Sequence, residues 1–265
     1  MEDEVVKMLQ NTKTLYTPLA MEKALVEVLG KDRREIRKAI KRMVASGTLE
    51  YINKWGGTFI DAGFVGPVKI TQKVVLKRPG QHFITSEGGV VINLRQGESF
   101  GDGRHPTTIM AIEMIEKCLE ESGIGQIAMP ITALDIGAGS GILAIAIAQL
   151  GAARVVGIDI DPRARYEAKE NIRLNALEDR ISIVEALSEN KKDQYSIVTA
   201  NLRTPTLIDM CPMIHEYLKR KGVAILTGFK ADERQYIIEK YKNENFLLLS
   251  TNERKSWVCA AFERR

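Results

Sequence analysis

The last half of the chain alternates between short apolar runs and longer stretches in which apolar residues recur at helical spacing. Such continuous apolar runs are typical of strands buried on both faces of a parallel sheet. The runs are "ITALDIG", "RVVGIDID", "ISIVEA", "YSIVTANL" and "VAILTG". Helices are predicted over about 141–150, 162–177, 206–221 and 231–243, and "FLLLSTNERKSWVCAAF" is predicted as an antiparallel hairpin. This order predicts a doubly wound α/β domain.

The first 65 residues follow a different pattern. Apolar residues from Ile36 to Met43 fall at helical spacing, and "GTLEYINKWGGTFIDAG" has the form strand, glycine turn, strand. Helices followed by a small hairpin indicate a winged-helix-like domain over 1–65. The remaining chain, 66–265, is predicted as the α/β domain with a β-rich lead-in at 67–100.

Composition agrees with two globular domains. The chain has 265 residues, of which 45% are hydrophobic, and its formal net charge is only +4. Its three cysteines lack the spacing of a metal site or a disulfide framework. The first residues, "MEDEVVKML", are acidic where a secretory signal is basic, and no apolar run could span a bilayer. We therefore expect a cytoplasmic protein with no bound metal and no membrane partner.

A glycine-rich turn follows the first strand of the α/β domain, in "LDIGAGSGILAIA". Glycines there let the backbone approach a ligand at a helix N-terminus. The dinucleotide fingerprint needs a further glycine where Ile142 stands, so NAD is disfavoured against another adenosine-type ligand. Asp159, at the end of the next strand, is placed to accept hydrogen bonds from ribose hydroxyls.

Several motifs then carry a resemblance. The segment "LDIGAGSGILAIAIAQLGAARVVGIDIDPRA" resembles the cofactor segment of class I S-adenosylmethionine-dependent methyltransferases. "SFGDGRHPTT", "TANL" and "AILTG" resemble segments of the PrmA family of ribosomal-protein methyltransferases, and the likeness covers about 97–265. The resemblance implies a Rossmann-like seven-stranded sheet and S-adenosylmethionine as cofactor. It also implies that the cofactor contacts Thr108, Gly137, Asp159 and Asn201.

The predicted site combines this resemblance with the turn. The predicted cofactor-binding residues are Thr108, Asp135, Gly137, Gly139, Gly141, Asp159 and Asn201. For Asp135 two roles stay open, contact with the turn or the cofactor's amino group, and capping of the helix.

The predicted catalytic residues are Asn201, His105 and Asp102. Asp102 stands where the family has threonine; it would attract a cationic substrate or be an exposed loop charge. His105 would position the loop, receive a proton or be purely structural. The loop itself is expected to be a mobile cap.

The first domain bears on the identity of the methyl acceptor. The family carries a ferredoxin-like recognition domain where this chain has the predicted winged helix. Residues 31–42, "KDRREIRKAIKR", contain seven basic and two acidic residues, a net charge of +5. With Lys54 and Trp55 in the wing, this helix could contact nucleic acid, dock a protein or serve a structural role.

The leading hypothesis is methyl transfer to a protein acceptor, at an amino group. The alternatives are methylation of a histidine side chain, a small molecule or RNA, or a regulator that binds the cofactor without turnover. The sequence does not indicate an oligomeric state.

Overall fold

The computed structural model describes residues 4–5, 8–9, 15–46, 48–54, 56–62, 66–85, 87–95, 97, 99–101, 103–121, 130–187 and 195–265. The chain divides into two compact units. The first comprises Met1–Val68, Lys77–Ile84 and Arg95–Glu98, and the second comprises Lys69–Leu76, Thr85–Leu94 and Ser99–Arg265. The predicted boundary after residue 65 stays a prediction.

The first unit pairs two helices with a hairpin. Its described elements are α1 Pro18–Leu29, α2 Arg33–Ala45, β1 Leu49–Lys54 and β2 Gly57–Ala62. The strands β1 and β2 are antiparallel, and an isolated bridge joins Tyr16 to Ile60. Two helices and a hairpin do not by themselves define a winged helix, so the winged-helix-like domain stays a prediction. Trp55 and the side chain of Lys54 lie outside the described residues.

Helix boundaries in this unit follow the local sequence. Thr17 caps α1 by accepting a hydrogen bond from the N–H of Ala20, at 3.2 Å. Gly30 ends α1 in the left-handed region, with φ of 61°. Asp32 then caps α2 by accepting from the N–H of Arg34. The helices are therefore joined by only three residues, and their apolar faces share one core with the hairpin.

The second unit contains the predicted seven-stranded sheet. Its strands are β6 Thr132–Ile136, β7 Arg154–Ile158, β8 Ile181–Val184, β9 Tyr195–Asn201, β10 Leu218–Lys230, β11 Phe246–Arg254 and β12 Trp257–Arg264. Their order is β11-β12-β10-β9-β6-β7-β8. Pairing is parallel from β10 through β9, β6 and β7 to β8, whereas β12 runs antiparallel between β10 and β11. The predicted Rossmann-like sheet with a closing hairpin is confirmed.

The β11–β12 hairpin turns at two residues, Lys255 and Ser256, which have φ of 50° and 61°. Positive φ at both central positions is the signature of a type I′ turn. Arg254 pairs with Trp257 directly across it.

Helices cover this sheet. They are α3 Pro106–Glu121, α4 Ile142–Gln149, α5 Pro162–Leu174, α6 Thr204–Asp209, α7 Cys211–Tyr217 and α8 Arg234–Asn243. The predicted continuous helix over 206–221 is wrong. It breaks at Met210, because Pro212 opens α7 and cannot donate a hydrogen bond to the preceding turn, and residues 218–221 belong to β10. No described helix has the length and apolar character that crossing a membrane requires.

The lead-in contains three short strands, β3 Val68–Lys69, β4 Val74–Lys77 and β5 Val90–Asn93, which form their own sheet. Asn175, at the end of α5, links β5 to α4 and α5 by hydrogen bonds. Its Oδ1 accepts from the N–H of Asn93 at 2.8 Å and from Gln149 Nε2 at 3.3 Å. Its Nδ2 donates to the carbonyl oxygens of Asn93 and Asn171, each at 2.7 Å.

We expect Asn175→Ala to lower the free energy of unfolding by about 2 kcal/mol, because it leaves partly buried backbone groups without partners. Urea titration of both proteins measures the change. The control is Asn243→Ala, which removes an exposed asparagine at the end of α8 and should stay within about 0.5 kcal/mol of the parent. Equal stability of the two variants would contradict this role.

Candidate active site

The glycine turn lies between β6 and α4, and all three glycines adopt positive φ. The angles are 71° at Gly137, 53° at Gly139 and 81° at Gly141. Two successive N–H groups at the start of the turn donate to the carbonyl of Ile158, at 2.8 and 2.9 Å, and the N–H of Gly139 donates to Asp159 Oδ2 at 2.8 Å. These N–H groups therefore donate within the protein and are not free to bind a ligand.

Neighbouring atoms leave no room for side chains at two of these glycines. A Cβ on Gly137 would lie 2.6 Å from Leu202 Cδ2, and one on Gly139 would lie 2.5 Å from the carbonyl oxygen of Phe100. Such distances are shorter than real Cβ contacts. Leu202 and Phe100 therefore pack directly against the turn.

Ser140 fastens the preceding loop to the turn. Its N–H donates to the carbonyl of Phe100 at 3.0 Å, and its Oγ donates to the carbonyl of Gly101 at 2.7 Å. The start of the predicted cap is thereby held on the glycine turn, and the proposed mobility of the cap stays a prediction. Asp102 lies outside the described residues.

Asp135 occupies the end of β6 and is only 1% exposed. Its Oδ1 accepts from the Thr199 hydroxyl at 2.7 Å, while Oδ2 has no hydrogen-bond partner in the described part of the chain. Burial raises the pKa of this carboxyl to about 6, and the nearby charge of Asp159 adds to the rise, against the hydrogen bond from Thr199 and the N–H of Ala144. An unpaired buried carboxylate oxygen is costly unless a cation or donor reaches it.

Asp159 is held in one orientation at the end of β7. Its Oδ2 accepts from the N–H of Gly139, and its Oδ1 accepts from the N–H of Asp161 at 2.9 Å. Each oxygen retains a second lone pair for another donor. The next side chain, Ile160, is 86% exposed, which is unusual for isoleucine.

Three polar side chains form a hydrogen-bonded series beside this edge of the sheet. Thr107 Oγ1 lies 2.7 Å from His105 Nδ1 and 3.1 Å from Asn201 Nδ2. The Thr107 N–H also donates to the same imidazole nitrogen, at 3.4 Å, so Nδ1 is the acceptor and the Thr107 hydroxyl donates to it. Asn201 must then donate to Thr107, which fixes its amide and leaves Oδ1 as an acceptor. Next to them, Thr108 is fully buried and its Oγ1 has no partner among the described residues.

A cavity of about 380 Å³ opens beside this series. Its lining residues are Phe100, His105, Thr107, Asn201, Leu202, Arg203, Gly228 and Trp257. The ring centroid of His105 lies 5.2 Å from that of Phe100 and 5.0 Å from that of Trp257, with edge-on geometry at both. Lys230 Nζ lies 3.5 Å from the Trp257 ring centroid.

The structure brings some of the predicted residues to this cavity and leaves others beside it. His105 and Asn201 line it, whereas Thr108, Asp135, Asp159 and the turn do not. Sequence reasoning missed Phe100, Arg203, Trp257 and the exposed Ile160. Arg203 follows the predicted strand "YSIVTANL" closely enough to be found from its position, but Trp257 is distant in sequence and gave no such signal.

Strand order 3-2-1-4-5-7-6, counted along the chain within the sheet, together with a glycine turn after the central strand, defines a class I S-adenosylmethionine-dependent methyltransferase fold. The family model described as Ribosomal protein L11 methyltransferase (PrmA) matches residues 32–265. The chain belongs to this family, which confirms the resemblance seen in the sequence.

Individual relatives agree with this assignment. The chain is similar to the ribosomal protein L11 methyltransferase of Geotalea uraniireducens, with 30% identity over 80% of this chain and 67% of the relative. It is also similar to that of Geobacter metallireducens, with 34% identity over 74% of this chain and 62% of the relative. The crystal structure of a ribosomal protein L11 methylase from Lactobacillus delbrueckii subsp. bulgaricus superimposes with a TM-score of 0.66 and 25% identity, over 76% of this chain and 99% of that one. The chain thus spans only about two thirds of the length of the curated relatives.

The raised pKa of Asp135 predicts a pH-dependent stability. Its folded-state value of about 6 lies above the ordinary 3.8, so protonation favours the folded state, and this contribution is lost as pH rises from 3.8 to about 6. Above that range the loss is about 3 kcal/mol. Asp135→Asn retains an acceptor oxygen for Thr199 without the charge, so its stability relative to the parent should rise by about 2.5 kcal/mol between about pH 4 and about pH 7.5.

Denaturant titration at both pH values measures the difference. Asp209→Asn, which neutralises an exposed carboxylate, is the control and should show no comparable change. A pH-independent difference for Asp135→Asn would contradict the assignment.

Proposed function

We propose that this protein transfers a methyl group from S-adenosylmethionine to an amino group of a protein, and that the cavity receives that amino group. The observation that carries the proposal is the position of the cavity: two of its walls, Leu202 and Phe100, pack against the glycine turn. An acceptor in the cavity would therefore lie beside a cofactor on the turn. Family membership supports this activity, and the relatives are named for a ribosomal protein substrate.

The residues around the turn fit the cofactor. The orphaned buried Oδ2 of Asp135 would accept a hydrogen bond from its ammonium group, and the oriented carboxylate of Asp159 would accept from its ribose hydroxyls. The exposed Ile160 offers an apolar surface for the adenine ring. The unpartnered hydroxyl of Thr108 supplies a further polar contact.

When bound, S-adenosylmethionine supplies the methyl group and the sulfur that keeps the electron pair of the broken carbon–sulfur bond. The chain's own residues then have to hold a neutral amine in line and exclude water. Asn201 Oδ1 would accept an amine N–H and so aim the nitrogen lone pair, because the bond to Thr107 fixes the amide. Phe100 and Trp257 would shield the acceptor from solvent.

Positive charge around the cavity helps to keep the amine of the bound acceptor neutral. Arg203 is a lining residue, and Lys230 lies over Trp257. No carboxylate is among the described lining residues. Nearby cations lower the pKa of an amine and so increase the fraction with a free lone pair. The proton leaves to solvent as the nitrogen forms its bond to carbon.

We expect Arg203→Gln to move the acidic limb of the kcat profile, which reports the pKa of the bound amine, to higher pH by on the order of half a unit, because that pKa rises when the charge is removed. Initial rates across pH with the identified acceptor measure this shift. Arg220→Gln, at an exposed position of β10, is the control. An unchanged or lowered profile for Arg203→Gln would exclude the electrostatic role.

Asp159→Asn should weaken S-adenosylmethionine binding by roughly tenfold or more, because it removes a charged acceptor while keeping an oxygen for the N–H of Gly139. The parent should bind NAD more weakly than S-adenosylmethionine. Calorimetry with both ligands gives the affinities, and Asp179→Asn, at an exposed position, is the control. Unchanged cofactor affinity in Asp159→Asn, or tighter binding of NAD by the parent, would refute the assignment.

The acceptor itself is found by incubating the protein and methyl-labelled S-adenosylmethionine with a lysate, then locating the label by nuclease, protease and mass spectrometry. Label on a protein amino group supports the proposal. Label on a histidine side chain, a small molecule or RNA would replace it with that alternative. Cofactor binding without any label transfer would favour a non-catalytic regulator.

A further inference from the structure

The basic residues of α2 fall into two groups that the sequence does not separate. Arg37 donates to both carboxylate oxygens of the buried Glu22 on α1, at 3.0 Å each, and Arg33 also pairs with Glu22. These bonds hold the pKa of Glu22 below its ordinary value. Lys31 pairs with Glu35 at 2.6 Å. Three of the seven cations in residues 31–42 are thus engaged in ion pairs within the unit.

The other four cations form what we call the basic face: Arg34, Lys38, Lys41 and Arg42. All four are exposed, and none has a carboxylate partner within the described chain. Spacings of four, three and one residues place them on one side of the helix, over about 12 Å of its length. The buried residues Ile36, Ile40 and Met43 occupy the opposite side. The basic face is therefore turned fully away from the core of its unit.

The position of α2 in its unit is typical of a recognition helix. It follows α1 after a three-residue connection that contains Gly30, and it precedes the hairpin whose second strand bridges to Tyr16. In helix-turn-helix proteins, the second helix of such a pair enters the DNA major groove.

We propose that the basic face is a docking surface for double-stranded DNA. Protein interfaces generally have an apolar or aromatic centre, and α2 exposes no large hydrophobic side chain. Phosphate groups match a row of unpaired cations. A major groove about 12 Å wide admits a helix in B-form DNA, whereas the narrow major groove of A-form RNA does not. This inference does not rest on the proposed methyl transfer.

The test measures binding of the full chain to a fluorescently labelled DNA duplex by anisotropy over a range of salt concentrations. One variant replaces the basic face with glutamine at Arg34, Lys38, Lys41 and Arg42. The control variant makes the same change in charge at exposed positions of the second unit: Lys169, Arg220, Lys221 and Lys242. Calorimetry with S-adenosylmethionine and thermal melting establish that both variants are folded.

The parent should bind the duplex with an affinity that falls steeply with salt. The variant of the basic face should bind at least about 100-fold more weakly at low salt. The slope of log affinity against log salt should become less negative by about 3.6, which corresponds to four phosphate contacts. The control variant should remain within about twofold of the parent, because its cations lie elsewhere.

Several outcomes would overturn the proposal. The first two are the absence of DNA binding by the parent and equal losses of DNA affinity in the two variants. The third is an affinity for an RNA duplex that equals or exceeds the affinity for DNA. The fourth is displacement of the labelled duplex by polyglutamate as strong as its displacement by unlabelled duplex, which would point to an acidic protein. Each of these leaves the methyl-transfer proposal standing, since cofactor binding and label transfer are measured separately.

Discussion

The parallel pairing of β6 with β7 is the constraint on which the site depends. It places the carbonyl of Ile158 under the glycine turn, where it accepts hydrogen bonds from two successive N–H groups. The carboxylate of Asp159, one residue further, then receives the N–H of Gly139. The conformation of the turn and the direction of this carboxylate are thus set by one strand register. A turn fixed in this way keeps its shape without relying on a ligand for hydrogen bonds.

Ser140 connects the glycine turn to the loop that precedes α3. Because this serine donates to two successive carbonyls of the preceding loop, the backbone at Phe100 and Gly101 is held against the glycine turn. The same loop continues into His105 and Thr107, which fix the amide of Asn201. The glycine turn and the His105–Thr107–Asn201 series are therefore both attached to one loop.

Sequence alone predicted the sheet and the position of the glycine turn after its first strand, because these depend on local apolar runs and on glycines in a short motif. It could not predict that the first three N–H groups of the turn donate to Ile158 and Asp159, since that depends on the register of the neighbouring strand. The break at Met210 was missed because an apolar pattern continued across Pro212. Counting charges likewise overstated the free charge of α2, since Glu22, which binds two of its arginines, lies on another helix.

The hairpin turn at Lys255 and Ser256 determines which face of the sheet Trp257 lies on. Neither residue favours positive φ, so each holds it at a cost of about 1 kcal/mol, and the antiparallel strands must supply that free energy. Successive side chains on a strand point to opposite faces of the sheet. A turn longer by one residue that shifted the register of β12 would therefore send the indole of Trp257 to the other face. The width of the cavity that Trp257 lines thus depends on the length of a turn whose own two residues do not line it.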